Sequence, residues 1–429
     1  MQSNRIGNIV ISSCFCTKSS PSKTLRERSQ NLKLRVYRTE QVRIQGGQMP
    51  YNVKPDVQQP IRDMVAEVGP QIEKLGRELD RKPDSFSHEI FKILADKGFV
   101  GFNMPKEYGG GGHSALEYAT MIETISYYDP PSSLLSAVSQ LAVDPITRVG
   151  NDDQKKAVVP KAAKGELIPA FALTEPNAGS DAANQLTEIK PDGDDYVING
   201  EKIFIMHGDV ADVGVVFGKI IDGDERPKVS AVLCDLKQDG VKATTLMNKM
   251  GMKYATTGRI CFENVRTPKS NLLGEPGKGF KYAMMTLDGA RIGIAAQSTG
   301  IAQRALDESV KYARERQQFG APIAKLQAIQ WMIADMATKL EAARLLTYKA
   351  AEHQDAGVRF SLEAAQAKLF AAEAANFCVD RAMQIHGGYG YIGEFSVIEK
   401  LYRDQRVSEI YEGTSEVQRL VIAGNVLRA

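Results

Sequence analysis

The sequence predicts an α+β fold: an N-terminal helical domain over residues 49–168, a middle antiparallel β domain over 169–275, and a C-terminal four-helix bundle over 276–429. Three observations carry this. Apolar residues recur at three- and four-residue steps from about residue 55 to 149, as on the buried face of a helix. Between about Gly165 and Pro268, short β-branched runs alternate with Gly, Asp and Asn clusters, as strands and turns do. From Gly279 onward helical spacing returns in long Ala-rich stretches that suit close antiparallel packing.

Residues 1–48 stand apart from this plan. They hold nine Lys/Arg against two Glu, with seven serines, so the remainder of the chain carries about −5 against a net +2 overall. That composition fits a mitochondrial transit peptide, which would place the protein in the mitochondrial matrix. A second reading is that Gly46-Gly47, shortly before Met49, is the translated core of a bacterial ribosome-binding site. Met49 is then the true start and the setting is cytoplasmic. The second is favoured because the first helix begins soon after Met49, and the extension is excluded from the fold either way.

In the helical part, Ile61, Met64, Val65 and Val68, then Ile72, Leu75 and Leu79, then Phe86, Ile90, Phe91 and Leu94 mark successive buried stripes. The run PKEYGGGG (105–112) breaks the pattern, and Asp129-Pro130-Pro131 separates helices expected over 115–127 and 134–149. The runs YVING, KIFIM, VGVVFGKI, VSAVLCDL and RICFENV are the expected strands. Ile292, Ala295, Ala296, Thr299, Ala302, Gln303, Leu306, Val310 and Ala313 line one face of the first C-terminal helix, and comparable segments follow over 322–355 and 359–385.

The composition excludes several functions. Downstream of Met49 no basic stripe with interleaved aromatics suggests nucleic acid, and no apolar run approaches the roughly 18–20 residues of a membrane span. Five scattered cysteines and five dispersed histidines form no metal-ligand spacing, so no metal is expected. The match of Gly388 to Gly393 (GYGYIG) to G-x-G-x-x-G follows a helical pattern and opens no βαβ unit, which rules out a dinucleotide fingerprint.

Five other segments carry more information: FALTEPNAGSD (171–181), EKIFIMHG (201–208), RQQFG (316–320), QIHGGYG (384–390) and IYEGTSEVQR (410–419). In their order and spacing they resemble the acyl-CoA dehydrogenases, over nearly everything from residue 60 to the end. The C-terminal third, with LDGARIGIAAQSTGIAQRALD and QRLVIAGNVLR, is most similar to the short-chain or butyryl type.

The resemblance implies an FAD enzyme. Such an enzyme would convert a short acyl-CoA to the trans-2-enoyl-CoA, pass electrons to an electron-transferring flavoprotein, and work as a homotetramer. Glu412 would be the base that removes the α-proton. By its local sequence alone, Glu412 suits a solvated acid or a helix cap as well. Gly413 would allow close approach of the backbone to the substrate thioester. Leu173, Thr174, Phe204, Ile205 and Met206 would line the flavin, with Ser180 near the pyrophosphate and CoA. Arg316, within a motif ending in Phe319 and Gly320, would meet the FAD pyrophosphate. Gln327, Gln384, Gly387 and Gly388 would reach cofactor, partly from a neighbouring subunit, and Thr414, Ser415 and Glu416 follow the base. Asp288 and Arg291 match substrate-side positions.

Two departures stand out. Phe204-Ile205-Met206 replaces the family's Trp-Ile-Thr, so a methionine, which cannot donate a hydrogen bond, stands where a hydroxyl meets flavin N5. One extra residue lies between Glu394 and Glu399. The pocket helix over Ser132–Thr147 carries Ser136, Ser139, Gln140 and Asp144 but no Arg or Lys, which argues against dicarboxylate substrates. Its polar face is compatible with a substituted or cyclic acyl group, or with plain exposure to solvent. Two alternatives therefore stay open: a dehydrogenase or oxidase for an unusual acyl-CoA, and a non-catalytic FAD-binding assembly protein.

Overall fold

The computed structural model describes residues 54–223 and 227–428. The expectations for residues 1–48 lie outside the described residues. Helices α1 (Pro55–Ala66), α2 (Gly69–Asp80) and α3 (His88–Asp96) bury the predicted stripes through Ile61, Val65, Ile72, Ile90 and Leu94. Helix α4 (Ala115–Tyr128) begins with a capping box in which Ser114 and Glu117 exchange side chain to main chain hydrogen bonds. Helix α5 (Pro130–Val149) starts four residues before its apolar spacing does. Asp129 caps it by accepting from Ser132 N–H at 3.1 Å, and Pro130 occupies the first turn, where a missing N–H costs nothing. Helix α6 (Asp152–Ala163) closes this part.

Strands β1 (Pro169–Ala172), β2 (Glu188–Asp192), β3 (Asp195–Met206), β4 (Val213–Ile220), β5 (Lys228–Asp235), β6 (Val241–Thr245) and β7 (Thr257–Pro268) form one curled sheet. Its order is β1-β4-β2-β3-β7-β6, with β5 on the remaining edge of the β4 ladder. Most neighbours are antiparallel, as expected. The pairings of β4 with β1 and with β2 are parallel, which makes the sheet mixed. Turn residues between strands mark where each strand ends but not which neighbour it joins, so this feature has no local signal. Strand β3 shifts register against β7 between Lys202 and Ile205, and Phe204 takes a positive φ of 59° there.

Helices α7 (Gly279–Glu315), α8 (Gln327–Asp355) and α9 (Ser361–His386) pack together. A small hairpin of β8 (Gln317–Gln318) and β9 (Ala321–Pro322) separates the first two. The short helices α10 (Gly388–Tyr391) and α11 (Ile398–Gln405) lead to α12 (Ser415–Val426), which returns to α9. Gly300 lets α4 approach α7 closely: a Cβ there would lie 2.2 Å from the Glu123 carbonyl oxygen.

Two buried ionic clusters tie these parts into one frame around the site. Glu123 on α4 accepts from Arg344 at 3.0 Å and from the Tyr348 hydroxyl, which in turn takes a 2.8 Å bond from Arg62. Lys400 on α11 donates to Asp404 at 2.6 Å and to Asp129 at 3.2 Å, and Asp129 also accepts from Tyr254 in the β6–β7 loop. Buried charges of this kind persist only when each is paired. Among the described residues no helix is long and apolar enough to cross a membrane.

Candidate active site

The segment between α11 and α12 cannot continue as helix, because Glu412 and Gly413 have φ of 54° and 88°. A non-glycine residue in the left-handed region is uncommon and points to a site where the surroundings enforce it. The enforcing groups are visible. The Glu412 carbonyl accepts from Gln418 Nε2 at 3.0 Å and from Arg291 Nε at 3.4 Å. The Gly413 carbonyl accepts from Lys368 Nζ at 2.7 Å and from Gln418 Nε2 at 2.9 Å. With these carbonyls held, the N–H of Glu412 is left without a partner among the described residues. The helix cap belongs to Thr414, whose hydroxyl accepts from Val417 N–H at 3.3 Å, and not to Glu412.

The Glu412 side chain instead lines a cavity of about 60 Å³, with Tyr118, Leu134, Val138, Met206 and Ala290 among its walls. Burial pushes the carboxyl pKa up to about 7, although Arg291 and Lys368 pull it back. A carboxylate poised there can take a proton at neutral pH and return it. The Tyr118 hydroxyl packs where a Cβ on Gly293 would come within 2.7 Å of it, and makes no hydrogen bond among the described residues.

Substituting Gly413 tests the turn. Alanine would bring a Cβ within 2.7 Å of Gln418 Nε2 and put an L-residue at φ 88°. We expect Gly413→Ala to cost about 1–2 kcal/mol in urea unfolding, with a larger proportional loss in turnover. A variant with undiminished stability would show the turn to be unstrained.

The other expected residues fall into separate groups. Arg291 forms an ion pair with Asp288 at 2.5 Å, and Asp288 also accepts from Ser361 at 2.5 Å, so both steady the base turn. Leu173 and Thr174 follow β1. Their N–H groups and the Thr174 hydroxyl have no partner among the described residues, and the buried Ser415 hydroxyl has none either. Phe204 is an exposed aromatic on the same strand as Met206. Ile205 differs from expectation: its side chain is buried in the core, and only its main chain can face a cofactor. Met206 reaches the cavity and accepts from the Thr257 hydroxyl at 3.2 Å. Ser180 and Glu416 are exposed. Arg316, Gln384, Gly387 and Gly388 line a second cavity, where Arg316 stacks on Tyr389. Phe319 and Gln327 are exposed and line neither cavity. Within one chain, therefore, this second group is not brought to Glu412.

Two expectations about the pocket helix change. Ser136 and Ser139 do not line the cavity; they are buried and bond to the carbonyls of Phe99 and Leu135. The lining also extends past Thr147 along the same helix, where Arg148 lines the cavity, so a cation is present after all. Asp144 already pairs with it at 2.8 Å and accepts from Thr286 at 2.7 Å.

Sequence reasoning missed Lys368, Gln418, Tyr118 and Lys202. Lys202 is fully buried and donates to the Leu173 carbonyl at 3.0 Å and to Glu175 at 2.7 Å. Burial lowers its pKa to about 8 against the pull of Glu175. A lysine among the alanines of α9, and another inside an apolar strand, were the available signals. Among the described residues no group of three or more His, Cys, Asp or Glu could hold a metal.

The chain matches known proteins along most of its length. Three family models match in series: the acyl-CoA dehydrogenase N-terminal domain over residues 55–166, the middle domain over 170–265 and the C-terminal domain over 277–427. The chain is 48% identical over 359 residues to a 3-(aryl)acrylate reductase of Clostridium sporogenes, covering 83% of this chain and 95% of that protein. It is 43% identical over 368 residues to a subunit of the caffeyl-CoA reductase-Etf complex of Acetobacterium woodii, covering 86% and 95%. The solved butyryl-CoA dehydrogenase of Megasphaera elsdenii superposes with a TM-score of 0.83 at 38% identity, over 89% of this chain and all of that one.

Proposed function

The chain belongs to the acyl-CoA dehydrogenase family, FAD oxidoreductases acting on acyl-CoA, and from that premise we propose that it interconverts a short acyl-CoA and its trans-2-enoyl-CoA, with Glu412 as the base. The observation that carries this is Glu412 itself: a carboxylate raised by burial to a pKa of about 7, facing a cavity walled beside it by Tyr118, Leu134, Val138 and Met206, from a turn whose own N–H has no partner among the described residues.

In this reading the thioester carbonyl accepts from the Glu412 N–H, which acidifies the α-carbon, and the Glu412 carboxylate takes the α-proton. Bound FAD supplies the hydride acceptor. The free donors of Leu173, Thr174 and Ser415 suit the acceptor-rich edge of a flavin, and Phe204 offers an apolar face to its ring. Arg316, Gln384, Gly387 and Gly388 would serve a cofactor shared across subunits, which fits a homotetramer. The likeness to a subunit of a reductase-Etf complex supports an electron-transferring flavoprotein as partner.

A second reading runs the same chemistry towards reduction of an enoyl-CoA, and the likeness to two reductases favours it. Protonated Glu412 then delivers the α-proton. Both directions predict that butyryl-CoA bleaches the bound flavin under anaerobic conditions. The sign with pH follows from the ionised base: bleaching should speed up as pH rises through about 7, and re-oxidation by crotonyl-CoA should slow. Flavin that stays oxidised with a panel of acyl-CoAs of different length and substitution would remove the proposal.

A further inference from the structure

Lys368 sits in the middle of α9, completely buried, with Ala364, Ala365, Ala371 and Ala372 on the same helix equally buried. Its ammonium has one hydrogen bond, to the carbonyl of Gly413, and no carboxylate within ion-pair distance among the described residues. A buried cation without a partner carboxylate is costly, and simple packing would favour leucine or methionine at this position.

The cost makes sense in relation to the next residue. The groups that bear on Lys368 are Glu412, Glu409 and Glu416 from the α11–α12 segment and Arg291 from α7. Those that bear on Glu412 are Arg291, itself paired with Asp288, and Lys368. Tyr118 and Tyr411 adjoin the same carboxylate as neutral phenols. Arg291 is committed to Asp288, so Lys368 is the cation near the base that no carboxylate neutralises directly.

We propose that Lys368 is a positioning residue for Glu412: its hydrogen bond to Gly413 fixes the left-handed turn that aims the carboxylate into the cavity, and its charge favours the ionised form. The inference rests on the base role given to Glu412 above. Burial alone drives that carboxyl upward, and an opposed charge keeps it within the neutral range. The cation acts from behind the turn, through a main-chain carbonyl, and is not itself among the groups lining the cavity.

Two substitutions separate the halves of the proposal. Lys368→Gln keeps a donor for the Gly413 carbonyl and removes the charge, while Lys368→Met removes both. In anaerobic reduction of the holoenzyme by butyryl-CoA, Lys368→Gln should move the midpoint of the pH–rate profile up by about one unit. Reduction at pH 7 would then be roughly fivefold slower and recover by pH 9. Lys368→Met should show the same shift and a lower rate at every pH.

A second readout needs no chemistry. Glu412→Gln should raise Tm progressively from the unfolded carboxyl pKa upward, and the pH at which that rise levels off, set by the folded pKa, should move up in the Lys368→Gln background. Midpoints and levelling-off points that stay at wild-type values overturn the proposal, whatever the rates. If the wild-type flavin is not bleached by any acyl-CoA, the base assignment falls, and the Tm comparison still decides whether Lys368 governs the Glu412 charge.

Discussion

Glu412→Gln is expected to lower the rate of flavin reduction by acyl-CoA about a thousandfold or more, because an amide cannot take the α-proton and general-base catalysis contributes about 10²–10⁴. FAD should stay bound, since the turn is held through main-chain carbonyls that glutamine also has. The stability effect has a definite sign. Glu412 is raised in the folded protein, so folding favours its protonated form. That stability is present below the unfolded carboxyl pKa and is lost as pH rises through about 7. Glutamine imitates the protonated form at every pH. The variant should therefore melt with the wild type below about pH 4 and above it at pH 8, and equal Tm values at pH 8 would show that the carboxyl is not desolvated. Reduction at the wild-type rate would assign the base elsewhere.

The second large effect concerns Lys202 and Glu175. Removing either one strands its partner in the core: Lys202→Met leaves Glu175 with only the N–H groups of Leu186 and Thr187, and Glu175→Ala leaves an ammonium with carbonyl and amide oxygens. Each single change should cost about 3–5 kcal/mol, and the Lys202→Met/Glu175→Leu double variant far less than their sum. In both lysine variants the Leu173 carbonyl keeps only the 3.3 Å bond from Gln185 Nε2, so FAD should dissociate more readily on gel filtration. Single costs that simply add would mean that the pair is not coupled.

The helical faces were legible because one repeating spacing reports one buried face, as Ile61 to Leu94 show. The strands were legible as runs, but their parallel pairings with β4 were not, since pairing direction depends on the path of the whole chain. Leu173, Thr174 and Met206 could be picked from motifs, while Ile205 within the same motif faces the core, because the register shift in β3 breaks the expected alternation. Arg148 lies inside the helix expected over 134–149 but one residue past Thr147, where the pocket-lining stretch is taken to end. Lys368 and Lys202 stand out locally only as lysines in apolar runs, which does not say what they hold. Their roles depend on Gly413 and Leu173, which lie 45 and 29 residues away in the chain.

The shift in β3 means that one strand is read in two frames. Up to Lys202 the frame serves the interior, turning a lysine inward to grip the preceding strand segment; after Phe204 it serves the open face, turning Phe204 out and Met206 towards the cavity. The residue at φ 59° is the hyphen between them. A chain one residue shorter here would exchange the duties of the motif residues that remained, so the spacing between Lys202 and Met206 is as much a part of the site as the side chains.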